Sequence, residues 1–599
     1  MTHKHAQEDG PLPLGSNDFV RPENPLPADD WGRWRGIRTA AETHSIKVQK
    51  EWDKYVRLFR DGEFNREPGD KSMKVSANFT FSYITMMMAM LYAESPSIEV
   101  EPRDDVSGPA DQAFLPLIQV GLFPSPAEAK VRFADVIERQ LTHSYDETSS
   151  HRHNLAALFD LLVRGMGVTK ESWDETRGLD RCDAIRRDEL YLDPNARFII
   201  QQAKYALHVN VMQVDDARAF FEARGVSPRF IEPNHDLTDG DTLRAQRVKE
   251  SVSTEKAKDY FKFYEAWWKD GDARRLDYLP YKSDGWITRM EWPFELDADD
   301  FPFTLWVFHQ QYASVNDAFS DRHVVDPLRQ VIEEVMEFAH KQTRRSMAKK
   351  VLVDKSALGP EMAELNELMD PETMKFVPLD AKNKSLGDLV HLLDFNSAVD
   401  PSVDLATVFK QAREEVEGLD ELLRGMADKK MTAEEASIRE KYGSQRTGFK
   451  QRQVDAALTT QCRHRAMIAR QLVAPETVAS VAGMDAALLW QLYAGNPQDL
   501  VSEFSIGIAA GSTGERAKQK RMERMERMYQ RAVGENQAAL SIGMIPPYDT
   551  QKMAEDIWRE DGIRRPDKYR TPMAGQPIPM PQAPPVAVPA EEGAPPNVA

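Results

Sequence analysis

Two Asp-Pro pairs, Asp326-Pro327 and Asp400-Pro401, constrain this chain more than any other feature. Each sets a capping carboxylate before a proline, whose fixed φ and missing N–H suit the first position of a helix. After the first pair, Leu328, Ile332, Val335, Ala339 and Gln342 follow at alternating steps of four and three, one face of a helix. Glu333, Glu334 and Glu337 lie in its first half; Lys341, Arg344, Arg345, Lys349 and Lys350 lie at or beyond its end, the order a helix dipole favours. After the second pair, Leu405, Phe409, Ala412, Val416, Leu419 and Leu423 repeat the spacing, and Glu414, Glu415, Glu417, Asp420 and Glu421 make that helix acidic. Between them VLV (Val351 to Val353) reads as a strand, PEMAELNELM as a short helix and MKFVPL as a second strand. The geometry implied is two antiparallel helices, each about 30 Å long at 1.5 Å rise per residue, with a small α/β unit at the far end. Such a stalk has too little core to stand alone, which points to a symmetric assembly.

The loop RGMADKKM follows, with Gly425 as its C-cap. Thr432 and Glu435 then have capping-box spacing, and a helical pattern runs to Val473 through Gly443 and Gly448, either of which could mark a kink. Upstream, residues 1–45 are rich in Pro, Gly and Asp and read as an arm anchored by Trp31 and Trp34, ordered only against a neighbour. Helical pattern is expected over Thr43 to Arg60, Phe79 to Ala93 and Lys130 to Val163. Between these and Asp326, segments such as VTKESWDE, ELYLDP, YFKFYEAWWKD and FPFTLWVFH have strand character. The fold class is therefore α+β, mainly helical.

The 599 residues carry a formal charge of −19, so bulk charge does not attract nucleic acid. Two distant cysteines, Cys182 and Cys462, exclude a disulfide framework and suit a reducing compartment. The opening MTHKHAQEDGPLPLG lacks the apolar core of a secretory signal. The longest apolar run, Phe79 to Ala93, is shorter than the roughly 20 residues of a membrane span. No phosphate-binding loop, dinucleotide fingerprint, nucleophile elbow or H-E-x-x-H motif occurs. His151 and His153 match no zinc pattern and read as exposed histidines, and Asp297 to Asp300 reads as a solvated turn. The expectation is a protein that is no enzyme and takes no metal or other cofactor.

The order of these segments resembles the portal proteins of tailed bacteriophages. KVSANFTFSYITMMMAMLYAESPSIEVEP, ELYLDPNARFIIQQAKYALHVNVM and YEAWWKD are similar to the portal wing. DRHVVDPLRQVIEEVMEFAHKQTRRSM and PSVDLATVFKQAREEVEGLDELLRGM are similar to the two stem helices, and MTAEEASIREKYGSQRTGFKQRQVDAAL to the long helix after the tunnel loop. The resemblance implies an arm over residues 1–45, a wing over 46–325, a first stem helix over 326–347 and a clip over 348–399. A second stem helix over 400–424, a tunnel loop over 425–431, which is short here, and a return to the wing over 432–512 follow. A helical crown over 513–565 and a disordered Pro-rich tail over 566–599 complete the chain.

It further implies a homo-oligomeric ring, a dodecamer in the family's manner, at one capsid vertex of the virion, assembled in the host cytoplasm, with double-stranded DNA in its channel. The implied partners are the terminase large subunit, head-completion or adaptor proteins, and the major capsid and scaffolding proteins, with no membrane. Arg424, Asp428, Lys429 and Lys430 would face the channel, the two lysines either contacting DNA or simply solvated. Lys341, Arg344, Arg345, Lys349, Lys350, Glu414, Glu415 and Glu417 would pair between subunits or meet DNA. Two other readings remain: another phage assembly or internal head protein, and a metal-dependent nucleic-acid enzyme.

Overall fold

A computed structural model describes residues 28–61, 79–103, 108–197, 199–237, 259–270, 273–281, 287–297, 300–310, 314–347, 349–354, 374–379, 433–493, 495–509, 513 and 515–541, with isolated positions at 407–409, 411–412 and between 550 and 558. The chain is α+β, and two units divide it, residues 1–515 and 516–599.

Helix α1 (Ala28–Asp61) opens the first unit and α2 (Phe79–Leu91) follows. Residues 28–45 are thus helix rather than arm. Trp34, Ile37, Ala41, Val48, Tyr55 and Leu58 keep a helical stripe, and Trp34 is buried edge-on against Tyr205 and Trp268. Strand β1 (Ile98–Pro102) leads to the short α3 (Pro109–Ala113) and α4 (Leu115–Gln119). The helix expected over 130–163 is two, α5 (Pro126–Glu147) and α6 (Ser150–Arg164), separated at Ser149, whose φ of 54° is left-handed. The Thr148 hydroxyl satisfies the Ser144 carbonyl at that break, so the chain can turn without orphaning a buried acceptor.

Two antiparallel sheets form the middle. One has the order β3-β2-β9, from β2 (Met166–Asp174), β3 (Leu179–Ile185) and β9 (Phe303–Val307). The other runs β4-β5-β6-β7-β8, from β4 (Leu190–Leu192), β5 (Tyr205–Gln213), β6 (Tyr260–Asp270), β7 (Ala273–Pro280) and β8 (Thr288–Glu291). Helix α7 (Val214–Glu222) drives Phe221 among Phe261, Phe263 and Tyr278, one reason this sheet needs so many aromatics. The small pair β10 (His309–Gln310) and β11 (Ala318–Phe319) precedes α8 (Asp321–Met347).

Helix α8 begins five residues before the expected start. At its start the Ser320 N–H donates to His323 Nδ1 at 3.2 Å, the half of a capping box that a Glu or Gln side chain usually supplies. Asp326 is not a cap. It pairs with Lys54 at 2.6 Å and Arg329 at 2.8 Å, and Pro327 lies inside the helix. Strands β12 (Lys349–Asp354) and β13 (Met374–Leu379) then pair in parallel, from Lys349 opposite Met374 to Asp354 opposite Leu379. Parallel pairing requires a crossover between them; the short helix expected there lies outside the described residues. Within the second expected stem helix, 407–409 and 411–412 are helical.

Helix α9 (Ala433–Leu472) runs 40 residues through Gly443 and Gly448 as one span; Thr432 lies outside the described residues. Its last half is the spine of the unit, contributing to three hydrophobic clusters and packing on β2, β3, β9 and β14. Helices α10 (Pro475–Ala482), α11 (Met484–Leu492) and α12 (Pro497–Glu503) fold back on α5, and β14 (Phe504–Ile508) pairs with β1. The second unit contains α13 (Glu515–Ser541). No helix among the described residues is long and apolar enough to cross a membrane.

Candidate functional site

Helix α8 is fastened at its first turn. Asp321, its first residue, accepts hydrogen bonds from Tyr83 Oη (2.5 Å), Lys450 Nζ (2.6 Å) and His309 Nε2 (3.0 Å). Burial pushes this carboxyl up, but the His309 bond and the Lys450 charge overrule burial and hold it well below the usual carboxylate range. Asp326 is depressed too: burial opposes ionisation, and Lys54 and Arg329 outweigh it. Val325 and Arg329 are buried, and Ile332 is the last buried residue among the described side chains of α8.

A second apolar stripe lies on another side of α8. Val324 and Phe338 are each 49% exposed, and Val331 and Val335 between them are half-buried. Their spacing of seven, four and three residues keeps them on one face. A solitary chain gains nothing from such a stripe.

Of the sequence-predicted charged residues, Lys341, Arg344 and Arg345 stand on the last turns of α8 at i, i+3 and i+4, and Lys349 and Lys350 open β12. The backbone alone is described there. Arg424, Asp428, Lys429, Lys430, Glu414, Glu415 and Glu417 lie outside the described residues. His151 stacks on Tyr92 and is half-buried rather than exposed, while His153 accepts the Ala184 N–H. Asp300 is not merely part of a solvated turn, because His464 Nε2 donates to it at 3.2 Å.

That bond belongs to a buried polar network that the sequence reading passed over. His464 sits 1% exposed between Glu171 (Nδ1, 3.2 Å) and Asp300 (Nε2, 3.2 Å). Ionised carboxylates only accept, so both ring nitrogens carry protons. Burial disfavours that imidazolium, but the hydrogen bonds to Asp300 and Glu171 dominate, and its pKa is pushed up to about 9. At the next position, Arg465 pairs with Asp180 at 2.5 Å and reaches Ser150 and Ser144. Gln461 joins Asn154, Thr169 and Cys182. Both cysteines are free and buried. The signal was present in QCRHR (Gln461 to Arg465), where polar residues interrupt the apolar stripe of Leu458 and Ile468. These bonds hold α9 against β2, β3 and the loop before β9. No protein-family model matches the chain, and a search of curated proteins finds no match.

Proposed function

We propose that the chain is a portal protein of a tailed bacteriophage: a ring-forming protomer that conducts double-stranded DNA at one capsid vertex without hydrolysing ATP. The observation that carries this reading is the outer stripe of α8. A helix pinned at Asp321, with Ile332 the last buried residue among its described side chains, continues to Met347 with Phe338 uncovered. It leads into a parallel two-stranded unit, and a 40-residue helix returns to the body. This is the order expected for stem, clip and wing, and lateral packing of neighbouring stems would cover the stripe. On this reading the cations at positions 341, 344, 345, 349 and 350 meet carboxylates of the adjacent stem or the DNA, and Lys429 and Lys430 line the narrowest part of the channel. Terminase and head-completion proteins would dock at the clip.

Electron microscopy of the purified protein tests this. Closed rings with a central hole and a narrow stalk are expected. A protein that stays monomeric at all concentrations and cuts DNA with magnesium would replace this reading with that of a metal-dependent nucleic-acid enzyme. In phage carrying Lys429→Glu with Lys430→Glu, rings should still form while DNA packaging or retention fails.

A further inference from the structure

The crevice between the two middle sheets is a built polar site. Register places its walls: Lys170 of β2 lies opposite Asp183 of β3, and His208 of β5 lies opposite Glu265 of β6. The cavity between them measures about 300 Å³, room for a small solute, and is lined by Lys170, Ser172, Asp183, Glu189, His208 and Asn210.

Its chemistry is set by Glu265, which is 5% exposed and bonded by Lys170 Nζ, by Trp267 Nε1 at 3.3 Å and by His208 Nδ1 at 3.4 Å. An ionised Glu265 only accepts, so His208 Nδ1 is the donor; Nε2, the other ring nitrogen, donates to an anion when the ring carries its second proton. Asn210 Nδ2 meets the same Nδ1 at 3.2 Å; with the one Nδ1 proton directed to Glu265, the amide is read in its flipped orientation, its oxygen sharing that proton and its NH₂ group turned outward. Lys170 spends one proton on Glu265 and keeps two. The acceptors at the rim are already engaged: Asp183 by Arg181 at 2.8 Å, and Glu189 by the Arg186 N–H at 3.2 Å. Lys170 and Ser172 are therefore the lining groups that keep protons to give.

His464 provides the internal comparison. There a buried imidazole is completed by a carboxylate on each nitrogen. His208 has the carboxylate on one nitrogen and a cavity at the other.

We propose that this crevice binds a small oxyanion, a phosphate or carboxylate group, through His208 Nε2, Lys170 Nζ, the Asn210 amide and the Ser172 hydroxyl. The anion takes the place at His208 that Asp300 takes at His464. This site stands on the wing sheets alone and does not depend on how the chain assembles.

The test is calorimetry on the full-length protein, with inorganic phosphate and then acetate as probes at constant ionic strength. Saturable binding of at least one probe at one site per chain is expected, and the tighter probe identifies the headgroup. Lys170→Gln should weaken it by about tenfold or more, but it also removes the ammonium beside buried Glu265. Ser172→Asp, at a half-buried position, keeps that pair and sets a carboxylate in the cavity, so binding should be lost while the melting temperature holds. Lys47→Gln, on α1, should change nothing. Absence of saturable heat with both probes, or binding undiminished in folded Ser172→Asp, overturns the proposal.

Discussion

At the scale of single residues, His464 ties α9 to β2 and to the loop before β9, and its protonation should be visible in stability. Its folded pKa of about 9 lies above the roughly 6.5 of an unfolded histidine. The charged ring's contribution is therefore fully present below pH about 6.5 and is lost as pH rises through about 9. Thermal melts across pH 6 to 10 should fall in the upper part of this range, and the His464→Leu variant should lack that fall. The substitution also leaves Glu171 and Asp300 facing each other without a cation, a loss of about 3–5 kcal/mol for a broken buried pair, measurable by urea titration. A cost near zero would mean that the ring is not charged. A second residue test separates two glycines. Gly165 and Gly483 both have positive φ, 87° and 99°. A Cβ at Gly165 would lie 2.2 Å from the Phe319 carbonyl carbon, while at Gly483 it meets nothing within 4 Å. Gly483→Ala should cost about 1–3 kcal/mol, the penalty of its φ 99°, ψ 169° backbone, a region essentially reserved for glycine. Gly165→Ala should cost clearly more, since α6 and β11 would have to separate, and equal losses would refute the close approach.

At the scale of elements, the cluster at Asp321 fastens the start of α8 to the body. Asp321→Asn weakens the acceptor shared by Lys450, Tyr83 and His309, and leaves the Lys450 ammonium buried beside a neutral amide. Amide exchange over 321–332 should accelerate, by about a hundredfold for each ~2.7 kcal/mol lost locally, while β5 and β6 keep their protection. Uniform acceleration across the unit would mean that the cluster stabilises the whole body and not this helix end. The same elements tell how far the sequence could be read. Tyr260–Asp270 was legible because aromatics at alternate positions leave few options besides a strand, and β12 and β13 because each is a short apolar run. The start of α8 was misread because Asp326-Pro327 matches the capping pattern, whereas the bond at the real start, from the Ser320 N–H to His323, has histidine where that pattern expects Glu or Gln. The first turns of α1 were hidden by the Pro- and Asp-rich text before them, since the stripe that begins at Trp34 finds its partners, Tyr205 and Trp268, only after folding. The network around His464 is a tertiary fact of the same kind: Glu171, Asp300 and Asp180 are about 160 to 300 residues away in sequence, and no spacing rule links them.

At the scale of the whole molecule, the two stripes of α8 make opposite predictions. Val325 and Ile332 face the protomer's own core, while Val324, Val331, Val335 and Phe338 face away from it. If the outer stripe is the seam between neighbouring stems, covering one phenylalanine contributes about 2 kcal/mol at each interface. A closed ring repeats that interface once per subunit, so the loss compounds around the circle. Phe338→Asp should therefore abolish rings in native mass spectrometry while circular dichroism and the urea midpoint stay at wild-type values, because Phe338 is already 49% exposed in the protomer. Val325→Asp, 1% exposed before substitution, should instead unfold the start of α8. Raising the salt concentration supplies an independent handle: an apolar seam tolerates it, whereas assembly held by the charges at positions 341, 344 and 345 weakens with screening. Rings that survive Phe338→Asp but fall apart at high salt would move the subunit contact from the apolar stripe to those charges. Rings that survive both would leave the outer stripe of α8 without a role in assembly and remove the observation on which the portal reading rests.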